Sequence, residues 1–348
     1  GHLDEYYWKI KNDNGWLGGK GDGWEETPYW LDGALPLAYL LDDKTLKNKV
    51  LKYVNWTLDH QRESGYFGAF TKDEREKKIK IEQGVQGEDW WPKMVMLKVL
   101  CQYYSATKDQ RVIPFMTRYF RYQFQNLNAC PLKHWTEWAQ SRGEDNIMVV
   151  YWLYNLTKDK FLLDLADLLY KQTFAWTDWF SSRDWVINAA AQQNNVDWMH
   201  RHGVNVAMGL KTPVIYYQSQ NDPKYLAAFK TGFSDLMNLH GLPMGIFSAD
   251  EDLHGNAPTQ GTELCAIVET MFSLENAIGI TGDNMYMDAL ERMAFNALPT
   301  QTTDDYNMKQ YFQIANQVQV SRGVFDFSLP FGREMTNVFG AQSGYTCC

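Results

Sequence analysis

The sequence predicts an all-α fold of stacked helical hairpins, and two patterns support that prediction. Apolar runs repeatedly end in a short polar turn before a new helical segment starts, and these turns lie at 42–43, 105–109, 155–159, 219–222 and 281–283. Successive turns are roughly 50 to 70 residues apart, a period typical of stacked supersecondary units. The segments on the two sides of a turn also differ, because the first is apolar almost all round and the second is amphipathic.

The pattern therefore predicts that each hairpin consists of one buried helix and one half-exposed helix. Residues 148–153 have no polar face, whereas acids punctuate the apolar positions of 160–169 at helical spacing. This alternation predicts two concentric layers, and the visible units fit an (α/α)6 toroid over residues 1–348, with an open α-solenoid as the alternative. Strand signals are few, and only 318–321 and 323–327 predict a short hairpin beside the barrel.

The composition excludes several classes of protein. The formal net charge is -9 and the basic residues are scattered, so we expect no nucleic-acid partner. No run approaches the ~20 apolar residues of a membrane span, and the polar first residues show no signal peptide. The 5 cysteines are too sparse for a disulfide scaffold. The 14 Trp, 20 Tyr and 18 Phe fill cores and can also stack on sugar rings.

Polar residues gather just upstream of the predicted buried helices, at 24–30, 87–91, 142–146, 200–203 and 261–265. In a toroid these groups share one mouth of the central funnel, and a concavity with convergent polar groups is the default binding site. Capping of helix N-termini by acids is the alternative for each carboxylate.

Two thiol-containing motifs predict a metal site. Glu263-Leu264-Cys265 and the vicinal pair Cys347-Cys348 offer a carboxylate and thiolates, which are good zinc ligands, and four protein ligands complete a tetrahedron. Such a closed zinc leaves no position for a catalytic water, but a metal-bound cysteine is a thiolate and can act as a nucleophile. A buried Cys265 and a terminal thiol pair without metal are the alternatives.

The acidic stretch 247–255 predicts a loop that could supply a proton donor. An acid near the thiolate could serve as general acid and base in a retaining mechanism, whereas a solvated acidic turn is the alternative.

Taken together, these motifs resemble glycoside hydrolase family 127, the β-L-arabinofuranosidase family. The segments that carry the resemblance are 1–5, 23–33, 150–155, 247–251, 261–265 and 347–348. The resemblance implies an (α/α)6 barrel followed by β-sandwich domains, so we expect this chain to be the barrel fragment of a longer protein. It also implies a zinc ion held by Glu263, Cys265, Cys347 and Cys348, with Cys347 as the nucleophile.

The general acid/base departs from the family pattern. The family has a Glu shortly before a Phe in this loop, but residues 244–246 before Phe247 contain no acid. Glu251 or Asp250 is the nearest substitute, and Glu251 is preferred.

We therefore predict a retaining exo-glycosidase that acts on side chains of a plant-type polysaccharide, in which Cys347 attacks and Glu251 transfers the proton. Sugar hydroxyls and ring faces would be contacted by His200, His202, Glu88, Arg142, Glu144, Trp24, Tyr29, Trp30, Trp90 and Trp91. Alternatives are a sugar isomerase or epimerase with paired His, and a non-catalytic carbohydrate-binding protein with structural zinc. The substrate suggests a periplasmic or secreted location, although reactive thiolates survive better in a reducing cytoplasm.

Overall fold

The computed structural model describes residues 13–19, 22–68, 89–134, 136–183, 198–253, 255–317 and 337–340. Contacts divide the chain into two compact units, Gly1–Phe174 and Ala175–Cys348. The predicted hairpin at 318–327 and the predicted site residues Glu88, Cys347 and Cys348 lie outside the described residues.

The first unit is built from helical pairs. After a single 3₁₀ turn at Gly15–Leu17, its described helices are α1 (Glu26–Leu40), α2 (Lys44–Asp59), α3 (Trp91–Thr107), α4 (Val112–Asn126), α5 (Glu137–Ser141), α6 (Gly143–Thr157) and α7 (Phe161–Gln172). Helices α1, α3 and α6 pack side by side, and each also packs against the helix that follows its turn, namely α2, α4 and α7. The inner helix α3 is buried on nearly every face, whereas the outer helices bury one face only. This confirms the predicted alternation.

The repeated turns have a local chemical cause. Helices α3 and α6 both end at a Lys in the left-handed conformation, Lys108 and Lys158. In each turn the preceding Thr hydroxyl accepts the backbone N–H of the following Asp. The same Thr hydroxyls donate to the carbonyls of Tyr103 and Leu153, which a helix end leaves without partners, so the same three-residue Thr-Lys-Asp turn ends the helix twice.

The second unit contains helices and one strand pair. Its described elements are α8 (Trp176–Ser182), α9 (Trp198–Arg201), α10 (Gly203–Gly209), α11 (Lys211–Gln220), α12 (Pro223–His240), β1 (Gly261–Glu263), α13 (Leu264–Thr281), α14 (Met287–Arg292) and β2 (Phe312–Ile314), with short 3₁₀ or π turns at Asn284–Tyr286, Met293–Ala297 and Pro299–Gln301. Helices α10 and α11 meet at Leu210 and pack on α13, and α12 packs on α8 and α11.

Strands β1 and β2 are antiparallel, with Glu263 opposite Phe312. Neither strand was predicted from the sequence, because each has only three residues. Helix α13 has the length and apolar composition of a membrane span, but core helices of globular proteins have these properties too.

Candidate active site

The acidic loop of the second unit lies against the start of α10. The Gly203 N–H donates to the Glu251 carbonyl at 2.7 Å, and the Leu253 N–H donates to the Arg201 carbonyl at 3.3 Å. The backbone of Glu251 has a φ of 74°, in the left-handed region that residues other than Gly and Asn rarely adopt. Such a residue costs ~1–3 kcal/mol and persists only where its surroundings hold it.

The Glu251 carboxylate is buried and has a different partner on each oxygen. Oε1 accepts the phenolic O–H of Tyr311 at 2.9 Å, and Oε2 lies 3.4 Å from His202 Nε2. Tyr311 precedes β2 and is itself buried. The sequence analysis missed Tyr311, because it lies 60 positions from Glu251 and outside every polar group upstream of a helix.

The orientation of His202 follows from its role as the N-cap of α10. Its Nδ1 accepts the backbone N–H of Asn205 at 3.4 Å. A backbone amide only donates, so the neutral ring carries its proton on Nε2, which faces Glu251. His202 is therefore placed as a hydrogen-bond donor, and Trp198 lies against its ring with centroids 4.8 Å apart.

Glu263 completes the cluster from a third element. It is the last residue of β1 and the N-cap of α13, and only 1% of it is exposed. His202, Glu251 and Glu263 each place one ligand atom within 4.8 Å of the others. Two buried carboxylates at this distance repel each other unless a proton or a cation lies between them.

The described part of the predicted zinc ligand set is compatible with a metal ion. Cys265 is partly buried and lies in the first turn of α13, two residues after Glu263. A carboxylate and a thiol are donor types that zinc accepts, and the Glu251 carboxylate close to Glu263 adds negative charge that a cation would neutralise. His202 is a poor ligand here, because its Nε2 carries the proton.

The two candidate histidines lie in different surroundings. His200 contacts the edges of Trp176 and Trp179, with centroids 6.3 and 6.0 Å away. His202 faces Glu251 instead. The described contacts therefore do not join the two rings into the paired-histidine arrangement that the isomerase alternative requires.

In the first unit, the segments at the N-termini of α1 and α3 are joined by two hydrogen bonds, each from an indole N–H of one segment to a carboxylate of the other. The indole N–H of Trp24 donates to Asp89 Oδ2 at 2.6 Å, and that of Trp91 donates to Glu25 Oε2 at 2.5 Å. Burial raises the pKa of Asp89, although the Trp24 hydrogen bond opposes this effect. Burial and the neighbouring Asp22 carboxylate raise the pKa of Glu26 to about 7.

Arg142, the N-cap of α6, lies between two indole rings. Its guanidinium carbon is 4.6 Å from the Trp91 centroid and 4.4 Å from that of Trp138. Its Nη1 donates to the Tyr29 hydroxyl at 3.2 Å and lies 3.9 Å from Glu25 Oε2. Trp138 is a further residue that the sequence analysis missed. The predicted contact Glu144 is fully buried in the first turn of α6.

The predicted stacking walls divide into partly exposed and buried residues. Trp24 and Tyr29 are partly exposed, and Tyr29 contacts Arg142, whereas Trp30 packs edge-on against Tyr53 of α2. Trp90 is fully buried and donates its indole N–H to the Cys130 carbonyl at 3.0 Å, and Trp91 is also fully buried. These two rings differ from the prediction, because they are core residues that present no face to a sugar.

Comparisons with known proteins agree with the helical architecture. The family model of the GH127 catalytic domain of β-L-arabinofuranosidase matches residues 9–325. The chain is similar to a solved GH127 β-arabinofuranosidase, with 15% identity, a TM-score of 0.62, and coverage of 89% of this chain and 51% of that one. A GH127 β-L-arabinofuranosidase from Geobacillus stearothermophilus T6 gives 15% identity, a TM-score of 0.61, and coverage of 86% and 51%.

A more distant likeness is to a glycosyl hydrolase family 88 protein from Bacteroides vulgatus, with 11% identity, a TM-score of 0.54, and coverage of 93% and 88%. The neighbours have (α/α)6-type folds, which confirms the predicted fold class. The chain spans about half the length of the two GH127 structures that it matches. No curated protein sequence matches it.

Proposed function

The chain belongs to glycoside hydrolase family 127, the β-L-arabinofuranosidase family, and from this premise we propose that it is a retaining exo-glycosidase. Its substrate would be a terminal β-L-arabinofuranose-like sugar on a plant-type polysaccharide, which also suggests a periplasmic or secreted location. The observation that carries the proposal is the convergence of Glu251, His202 and Glu263 within 4.8 Å. This cluster combines a proton-transfer group, a hydrogen-bond donor and a metal-type ligand.

Glu251 is the proposed general acid and base. Tyr311 donates to its Oε1 and His202 Nε2 faces its Oε2, so these two contacts fix the orientation of the carboxyl group that exchanges a proton with the substrate. In the first step the Glu251 proton passes to the glycosidic oxygen as the C–O bond breaks. In the second step the carboxylate takes a proton from water, as a retaining mechanism requires.

Cys347 is the proposed nucleophile. Its thiolate electron pair forms the C–S bond at the anomeric carbon while the leaving group departs with the proton from Glu251. Water then attacks the same carbon, and the C–S electron pair returns to sulfur. Glu263, Cys265, Cys347 and Cys348 are the residues that would hold a zinc ion. Bound zinc would keep the cysteines deprotonated at neutral pH.

Sugar contacts in the first unit remain part of this proposal. Trp24 is partly exposed beside Asp89 and Tyr29 is partly exposed beside Arg142, and aromatic faces next to charged hydrogen-bonding groups suit a sugar ring. His202, His200, Glu144 and Trp30 stay in the proposed set as predictions from the sequence.

Metal content is the first test. Elemental analysis of freshly reduced protein should find about one zinc per chain, as four ligands from one chain bind one ion, and Cys265→Ala should lose it. Metal removal should abolish hydrolysis of arabinofuranosides, since chelation removes the basis for thiolate formation. Hydrolysis that persists without metal would contradict the zinc–thiolate role, and isomerisation of a free sugar that chelators do not affect would favour an isomerase. Cys347→Ser should abolish turnover but not sugar binding, whereas a binding protein with structural zinc would show no turnover in wild type.

A further inference from the structure

A buried ion pair flanks the His202–Glu251 contact. Arg201 Nη1 lies 2.9 Å from Asp252 Oδ2, and the two side chains are only 7% and 0% exposed. Burying two charges costs desolvation energy that their attraction often only just offsets. The net contribution of this pair to stability is therefore small, and its position in the sequence suggests a second role.

The ion pair joins the nearest neighbours of the two proposed active-site residues. Arg201 directly precedes His202, and Asp252 directly follows Glu251. A bridge between His202 and Asp252 and the hydrogen bond from Gly203 N–H to the Glu251 carbonyl link the same segments. The backbone is thus tied on both sides of the His202–Glu251 contact.

The strained backbone of Glu251 explains why such ties are needed. A φ of 74° is unfavourable for Glu, so a released loop would relax toward an ordinary angle. That rotation would take Oε1 away from Tyr311 and Oε2 away from His202, because both contacts depend on where this residue directs its side chain.

We propose that Arg201 and Asp252 are positioning residues that hold the Glu251 carboxylate in its proton-transfer geometry. This inference rests on the proposed role of Glu251. Neither residue touches substrate in this proposal, and both act through the acid/base alone.

The leaving group of the substrate separates positioning from general stability. A misplaced acid slows the departure of a poor alkoxide leaving group, whereas 4-nitrophenolate departs without a proton. For Asp252→Asn we expect kcat/KM on an alkyl arabinofuranoside to fall up to about 100-fold, the cost of misplacing a reacting group by ~1 Å. On the 4-nitrophenyl arabinofuranoside kcat/KM should fall far less, and Arg201→Lys, which keeps the charge, should show the same difference between the two substrates with a smaller loss.

The ion pair between Arg183 and Asp235 in the same unit provides a control outside the acidic loop. Its atoms lie 2.7 Å apart and it joins the end of α8 to α12, although the Arg183 side chain is 53% exposed and the pair is therefore less buried than Arg201 and Asp252. Asp235→Asn should lower stability but change kcat/KM on both substrates equally or not at all.

Equal losses on the two substrates in Asp252→Asn, or no loss on either, would overturn the inference while the proposed function stands. A wild type that cleaves neither substrate would instead refute the proposed function, and this inference with it. If Asp252→Asn does not fold, Arg201→Lys gives the same comparison, because it keeps the charge and alters only the geometry.

Discussion

Removal of one hydroxyl group tests the role assigned to Tyr311. Tyr311→Phe deletes the O–H that donates to Glu251 Oε1 at 2.9 Å and leaves the buried ring in place. A hydrogen bond to a charged group contributes ~1.5–3 kcal/mol, because an unmade one leaves a buried acceptor without its donor. If the bond holds the acid/base in its reactive position, that energy corresponds to a fall in kcat of roughly 10- to 150-fold at 1.36 kcal/mol per factor of ten.

Tyr103 offers a matched control. Its hydroxyl donates to Asp109 Oδ2 at 3.0 Å, also a phenol-to-carboxylate bond, but in the turn after α3. Steady-state kinetics on an alkyl arabinofuranoside and urea unfolding should be measured for both Phe variants. Both should lose stability, and only Tyr311→Phe should lose kcat. Unchanged kcat in Tyr311→Phe, with lost stability, would refute the positioning role of Tyr311.

Four further substitutions test the packing and charges of the structure. Trp24→Phe should lower the unfolding free energy by ~1–3 kcal/mol in urea titrations, because Asp89 is buried and loses the indole donor. Glu26→Gln should match the wild-type Tm near pH 4 and exceed it near pH 8. The carboxyl pKa is raised from 4.5 to about 7 in the folded protein, so wild-type stability falls as pH rises from the lower value through the higher one. Gly143→Ala should destabilise by ~1–3 kcal/mol, because its Cβ would lie 1.9 Å from a buried Thr hydroxyl. Gly279→Ala, which meets no atom within 4 Å in a helix, should stabilise by up to ~1 kcal/mol in the same unfolding assay.

Local signals made the helical architecture predictable. The turns after Thr107 and Thr157 depend on hydrogen bonds between residues two to four positions apart, so the local sequence alone predicts them. The buried helices were equally visible, because a helix without a polar face must be enclosed. Glu263 and Cys265 were identified together since they are neighbours in the chain.

Contacts between residues far apart in the sequence determine the features that could not be predicted, namely the burial of individual Trp residues and the partners of Glu251. Trp90 and Trp24 have similar neighbours in the sequence, yet Trp90 is buried beside Tyr122 while Trp24 stays partly exposed. Tyr311 reaches Glu251 only because β2 pairs with β1. The preference for Glu251 over Asp250 was a choice between two adjacent acids, and the contacts with Tyr311 and His202 now support it.

The covalent step is the central claim of the proposed mechanism, and intact-mass spectrometry tests it most directly. Glu251→Gln should react with an activated aryl arabinofuranoside, since that leaving group needs no acid, but should deglycosylate slowly without a base. The proposed mechanism predicts a protein carrying one added sugar, mapped by peptide digestion to Cys347 and absent when Cys347→Ser is added. An adduct on a carboxylate, or wild-type hydrolysis with inversion of the anomeric centre, would contradict it.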